Sequence, residues 1–288
     1  MPGSVKRCIP VLLGFSVFGR TDVVDVQELV RRATNVMMHA DWAAAPDFAF
    51  IQRDVATSKG ITTSKTHQVF IISGSDYYMP VAINDEALPP DQQTLELQKL
   101  RQEVVRRSQE TPQQAQRRSE RYHKMREQNG ILLNEFTKAF DFAFAGEETI
   151  DGHATYVLDA KPRPAYHPPN RTARILTGMR GQLWIDQESF HWVKAEAEVV
   201  RPVSIFGLFA RALTGTRMNL EMMPVTDSVW LVSRLTVDMR FSIFWHKSVK
   251  STETIFSGYE PAPAALARWL STATGGSAKT DPNLRKST

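Results

Sequence analysis

Strand-like alternation runs almost unbroken from Gly146 to Tyr259, and it constrains this chain more than any other feature. In Val193–Val199 the apolar Val193, Ala195, Ala197 and Val199 alternate with Lys194, Glu196 and Glu198. Farther on, Leu235, Val237, Met239, Phe241 and Ile243 alternate with Arg234, Thr236, Asp238 and Arg240. A period of two sends successive side chains to opposite faces of a strand. Each strand then has one wet face and one buried face, which is the signature of an antiparallel sheet. Asp151-Gly152, between Phe142–Ile150 and Ala154–Lys161, is a hairpin turn signal. Strands ordered as a meander build a curved sheet. A curved sheet with an apolar inner face is a container.

The N-terminal half supplies the rest of the framework. Asp25–His39 predicts a helix: Val26, Leu29, Val30, Ala33 and Met37 recur at helical spacing, and Asp25 caps it with Glu28 three residues on. Strands are predicted at Asp47–Thr57, Thr66–Gly74 and Asp76–Ile83, with Gly60 and Gly74 at the turns. Pro89 and Pro90 then open a polar insert over residues 89–130. Asp91–Gln128 holds nine Lys or Arg against six Asp or Glu, a net +3 in a chain whose whole net charge is +4, so the basicity is local. Thr111 caps a second insert helix that starts at Pro112. Asn129-Gly130 is expected to stop it, with Ile131–Phe140 as a separate apolar helix. Strands resume as Arg180–Asp186, Phe190–Arg201, Met218–Met223, Ser228–Phe244 and Lys247–Tyr259. Residues 21–260 read as a single domain. Residues 261–288 are rich in Pro, Ala, Ser, Thr and Lys and predict a disordered tail.

Residues 1–20 predict an export signal. Lys6 and Arg7 precede an apolar run of 11 residues, Cys8–Phe18, too short to span a bilayer. That places the mature protein in the periplasm or cell envelope. Cys8 is the single cysteine, so neither a disulfide framework nor a cysteine-based metal site is available.

The chemistry-bearing motifs are absent. The chain has no Gly-rich phosphate loop, no His-Glu-x-x-His and no Gly-x-Ser-x-Gly. Its seven histidines are scattered, with none paired at a ligand spacing on a helix. The expectation is a non-enzymatic protein with no catalytic residue, no metal and no cofactor. Aromatic residues do not interleave with the insert's basic residues, which argues against nucleic acid as a partner. The arginines of the insert (Arg106, Arg107, Arg117, Arg118, Arg121) fit an anionic membrane surface, an acidic envelope protein, or a solvated helix face laced with Glu–Arg pairs. Between two strands, Val203–Leu213 is too apolar for a solvent loop. Its Ile205, Phe206, Leu208, Phe209 and Leu213 are lid candidates; a membrane-dipping patch and a core plug are the other readings.

Three short motifs carry a family resemblance: Gly-Gln-Leu-Trp-Ile-Asp at Gly181–Asp186, Asp227-x-Val-Trp-Leu at Asp227–Leu231, and Thr-Ile-Phe-Ser-Gly-Tyr at Thr254–Tyr259. With the helix-then-strands start, they resemble the LolA/LolB-like lipoprotein-carrier superfamily of outer-membrane lipoprotein-sorting proteins, whose architecture the RseB sensor domain shares. More closely, the chain resembles bacterial envelope members with a charged helical insert before the second half of the sheet. The resemblance covers roughly residues 25–260. It implies an α+β fold: a strongly curved antiparallel β-sheet (an incomplete barrel) with helices across the concave face, plus a protruding helical insert. It also implies an apolar cavity for a lipid or lipoprotein acyl chain, worth about 0.8 kcal/mol per buried CH₂. Alternation alone nominates Phe50, Val69, Ile71, Phe142, Phe144, Leu183, Ile185, Val193, Met222, Leu235, Val237, Met239 and Phe241 as lining residues; ordinary core packing is the competing role for each. Two functions follow: an exported carrier or sensor of acyl chains, or an envelope protein-interaction module with a filled core. A hydrolase with residues converging from separate strands is the third reading.

Overall fold

The computed structural model describes residues 24–206, 210–244 and 246–272. The expected export signal lies outside them. Asp25 opens the helical part: its carboxylate accepts the backbone N–H groups of Gln27 and Glu28 at 3.1 Å each. This satisfies two donors that a helix start leaves unpaired. Helix α1 (Val26–Val36) buries Leu29, Val30 and Ala33. The rod continues through a π turn, Met37–Asp41, and the short α2 (Trp42–Ala44).

A first meander follows: β1 (Phe48–Ser58), β2 (Ile61–Ile72), β3 (Ser75–Ile83) and the two-residue β4 (Glu86–Ala87). Two helices come next, α3 (Pro90–Ser108) and α4 (Pro112–Ala139). The second series is β5 (Phe140–Ile150), β6 (His153–Pro162), β7 (Met179–Asp186), β8 (Trp192–Val199), β9 (Val203–Phe206), β10 (Ala210–Ala212), β11 (Arg217–Thr226), β12 (Val229–Ile243) and β13 (His246–Pro261). Helix α5 (Ala262–Thr272) ends the described chain. All 13 strands join one antiparallel sheet, ordered β4-β3-β2-β1-β13-β12-β11-β8-β7-β6-β5, with β10 and β9 branching from the far half of β12. The sheet does not close, since β4 and β5 are its two ends. Among the described residues no helix is long and apolar enough to cross a membrane.

Directly paired residues share a face of the sheet. Following the pairing across it, one row reads Phe144, Leu158, Leu183, Ala195, Leu220, Leu235, Thr254, Asp54, Lys65. The row is apolar from β5 to β12 and turns polar at β13. The apolar part is where α1 sits. There Leu29, Val30, Ala33 and Met37 pack with Leu158, Leu183, Ile185, Trp192, Val193, Met222 and Trp230 in the first core. A second core joins Phe70, Ile72 and Met79 to Leu100 of α3 and to Ala262 and Ala265 of α5. The third gathers Ala139, Phe140, Leu176, Met179, Val199 and Ala212.

The strands follow the sequence pattern closely, but two helical expectations change. Helix α4 runs straight through Asn129-Gly130 instead of stopping. Gly130 is buried against the Trp42 indole, where a Cβ would sit 3.7 Å from the ring. Arg126 lies over the same ring at 4.6 Å and donates to the Trp42 carbonyl. Contact with Trp42 thus offsets the local cost of a mid-helix glycine. At the other end, residues expected to be tail form α5. Its Leu266, Trp269 and Leu270 cover the second core, with Trp269 edge-on to Phe70 at 6.0 Å. The tail beyond Thr272 lies outside the described residues.

The insert straddles the β2–β3 hairpin. The Arg107 guanidinium is buried and donates to the Ile72, Ser75 and Asp76 carbonyls at 2.7, 2.9 and 3.1 Å. Arg118 donates to the Ser73 carbonyl at 2.8 Å. Two of the five arginines considered for an external surface therefore bind the sheet's own turn.

Gly181 marks the tightest strand contact. A Cβ there would lie 2.0 Å from the Glu196 carbonyl oxygen on β8. Gly181→Ala is expected to cost about 1–3 kcal/mol through backbone overpacking. The drop in thermal midpoint measures it, and an unchanged midpoint would show that β7 and β8 separate freely.

Candidate functional site

Between α1 and the edge strand β5 lies a cleft of about 400 Å³. Helix α1 provides Val26, Gln27, Val30, Arg31 and Thr34; the end of α4 provides Thr137; β5 provides Asp141 and Phe142; and Arg163 follows β6. The helical spacing of Val26 and Val30 aims both at the sheet, opposite Phe142. Polar groups surround this apolar floor. Arg163 Nε donates to Asp141 Oδ1 at 2.8 Å, and Arg31 is held by Glu28 at 2.6 Å. The Arg31 guanidinium keeps the Glu28 carboxyl below its usual range. Thr34 Oγ1 is buried and has no hydrogen-bond partner among the described residues.

The roof of the cleft is pinned from its far end. Asp41, the last residue of the π turn, accepts the Trp230 backbone N–H at 2.8 Å through Oδ1. Its Oδ2 lies 3.0 Å from His191 Nδ1. His191 stacks on the Trp230 indole, with planes 9° apart and centroids 5.3 Å apart. His153 meets the same indole edge-on at 4.7 Å, and its Nδ1 is 3.4 Å from Asp186 Oδ1. Burial raises the Asp186 pKa, but the Ser189 hydroxyl and the Ser189 and Glu188 N–H groups outweigh it, and the net shift is downward. These two His–Asp pairs look like acid–base machinery, and π turns frequently mark functional sites. Asp41, however, spends both oxygens on buried structural partners. Among the described residues no three His, Cys, Asp or Glu side chains gather as a metal site.

A second depression, of about 540 Å³, crosses β7, β8, β11 and β12 and is lined mainly by charged and polar groups, among them Arg180, Glu196, Glu198, Arg217 and Asp238. Its polarity suits no acyl chain.

The nominated lining residues separate into five places. Phe142 lines the cleft. Leu183, Ile185, Val193 and Met222 are buried under α1 in the first core. Phe50 is half-buried, with its ring near Phe256 and Tyr259 at 5.7 and 5.4 Å; Val69, its partner on β2, is fully buried, and Ile71 borders the second core. Leu235, Val237 and Phe241 are half-buried along β12, Met239 is exposed, and Phe144 is exposed on β5. Of the lid candidates, Leu208 and Phe209 lie outside the described residues. Ile205 and Phe206 fall on β9, where only the backbone is described, and Leu213 is half-buried just after β10.

Thr34, Thr137, Asp141 and Arg163 were not singled out by sequence reasoning. The Val26–Val30 stripe was visible in α1. Nothing in the proline-rich segment around Arg163 signalled that it would turn back onto β5.

No family model matches this chain, and no curated protein does. Solved structures do. MucB of Pseudomonas aeruginosa, solved in complex with MucA, has 9% identity; the match covers 82% of this chain and 98% of that one at a TM-score of 0.24. An outer membrane lipoprotein-sorting protein domain from Vibrio parahaemolyticus has 11% identity, with 81% and 91% covered and a TM-score of 0.35. The chain is likewise similar to a LolA superfamily protein from Nitrosomonas europaea, at 13% identity over 83% of this chain and 94% of that one, with a TM-score of 0.34.

Proposed function

We propose that this protein is an exported, non-enzymatic carrier or sensor of the cell envelope that binds an acyl chain of a lipid or lipoprotein in the cleft between α1 and β5. The cleft carries the reading. Its volume falls within the range of small-molecule sites, about 300–1,000 Å³. Its floor (Val26, Val30, Phe142) is apolar, and its rim (Gln27, Arg31, Asp141, Arg163) is polar. That arrangement suits a ligand with a greasy body and a polar head. The unpartnered Thr34 hydroxyl is a group that a ligand head would satisfy.

The test uses residues 20–288, extracted for mass spectrometry and titrated with a fluorescent fatty acid. Wild type is expected to retain lipid and bind the probe. Val30→Arg, which puts a charge into the floor, is expected to weaken probe binding at least about tenfold. Wild type that neither retains lipid nor takes up probe would end the proposal.

A second reading is favoured by one observation. Edge strand β5 ends the sheet over 11 residues and exposes Ala143, Phe144 and Ala145. An open edge of that length accepts an added strand from a partner protein. Under this reading the core is filled and the protein is an envelope interaction module. Phe144→Lys on β5 would then abolish partner capture while leaving probe binding intact.

A further inference from the structure

The sheet end remote from α5 and from the α3–α4 turn is greasy and basic at once. Of the twelve exposed large hydrophobic side chains among the described residues, five sit there: Ile61, Met239, Ile243, Phe244 and Val249. Three of these exceed half exposure, Ile61 at 69%, Val249 at 64% and Phe244 at 57%. Strand β1 ends where Ser58 pairs with Lys250, so β13 runs on from Val249 back to His246 beyond it. Those four residues extend roughly 13 Å at strand rise. Ile243 pairs with His246, and Val249 with Arg240, which places the two apolar residues on opposite faces of the hairpin. On β13 every residue from His246 to Lys250 is exposed, so neither face of that strand end is covered, while on β12 Ser242 is buried beside β10.

Charge identifies the occupant. Lys59, Arg211, Arg240, Lys247 and Lys250 are all exposed around this end. No Asp or Glu occurs between Glu198 and Glu221, or between Asp238 and Glu253. Apolar side chains on both faces, ringed by cations, with Asp238 at the border of the patch and held by the Ser251 hydroxyl, complement an anionic headgroup layer over an acyl interior. An acidic protein groove would match the cations but leave one apolar face wet.

We propose that the β12–β13 hairpin tip, with β10 beside it, docks on anionic lipid bilayers. Ile243, Phe244 and Val249 enter the interface, and Arg211, Arg240, Lys247 and Lys250 meet the headgroups. The inference goes beyond the cleft and does not depend on what the cleft holds. It also moves membrane contact from the helical insert to the opposite end of the sheet.

The experiment floats the full chain with phosphatidylcholine vesicles, with and without phosphatidylglycerol. Wild type is expected to float with the anionic vesicles, weakly with neutral ones, and less as salt rises. Ile243→Ser with Phe244→Ser is expected to weaken binding at least about tenfold. Lys247→Gln should weaken it about fivefold. Val105→Ser on α3, equally exposed but far from the tip, should change nothing. If the double variant unfolds, Val249→Ser, which removes the most exposed large apolar side chain of the β12–β13 hairpin, replaces it. Wild type that never floats overturns the proposal, as does binding indifferent to the tip substitutions. A wild-type dimer dissolved by the double variant also overturns it, since the tip would then serve a second copy. Lipid retained after purification is a separate readout, so this failure and failure of the cleft are distinguishable.

Discussion

Asp41→Ala is expected to lower the unfolding free energy by about 3 kcal/mol, because it strands two buried hydrogen-bond partners. Asp41 is only 1% exposed. One of its oxygens holds the Trp230 N–H at the start of β12, and the other holds His191 after β7. The segment that packs over β6–β8 is thereby tied to two strands far apart in sequence. Without the carboxylate, the Trp230 N–H is buried with no acceptor, and the π turn loses its anchor. Asp41→Asn keeps one acceptor oxygen for that N–H and is expected to cost less, about 1–2 kcal/mol. Urea unfolding measures both. Equal losses for the two variants would show that the volume of the side chain matters and its hydrogen bonds do not. Because α1 roofs the cleft, Asp41→Ala should also weaken fatty-acid probe binding in parallel.

Arg107→Ala is expected to be comparably severe, about 2–3 kcal/mol. A buried guanidinium serves three carbonyls of the β2–β3 turn, the Ser75 hydroxyl and Glu103. Removing it leaves those acceptors facing a gap under the end of α3. Arg107→Lys restores the charge but not the planar fork, and is expected to recover only part of the loss. The neighbouring carboxylate adds a pH dependence. Arg106, followed by Arg107, holds the Glu103 carboxyl at about 2, against the opposing effect of burial. A carboxyl depressed in the fold stabilises above its unfolded pKa and loses that contribution as pH falls through the folded one. Wild type should therefore exceed Glu103→Gln in urea midpoint near pH 6 by a margin that shrinks toward about pH 2. Arg106 is over half exposed, so the margin is small, below about 1 kcal/mol. A margin that grows on acidification would contradict the ion pairing.

Legibility differed by element. Strands β5 to β8 and β11 to β13 were readable because each carries its own alternation and meets a turn at one end or both; Asp151 at φ 51° and Gly152 at φ 87° form the turn their sequence announces. Helix α4 was misread at Gly130 because its continuation depends on Trp42, 88 positions earlier, which no local window contains. Helix α5 was overlooked because an Ala- and Pro-rich composition outweighed the apolar spacing of Ala265, Leu266, Trp269 and Leu270. The nominated lining residues show the same division. Alternation correctly found side chains that share a face, such as Leu183 and Leu235, yet the first lies packed under α1 and the second only half-buried on β12.

Sequence by itself determined the kind of structure: an antiparallel sheet with an apolar face, a capped first helix and a basic two-helix insert. Each of these is encoded in neighbours a few residues apart, where backbone period and turn chemistry act directly. The tertiary structure decided which stretch of that face is roofed, where space remains beside β5, and which arginines turn inward. Those outcomes rest on meetings such as Asp41 with Trp230 and Val30 with Phe142, between groups more than a hundred positions apart. Only packing, which optimises the whole sheet at once, brings them together.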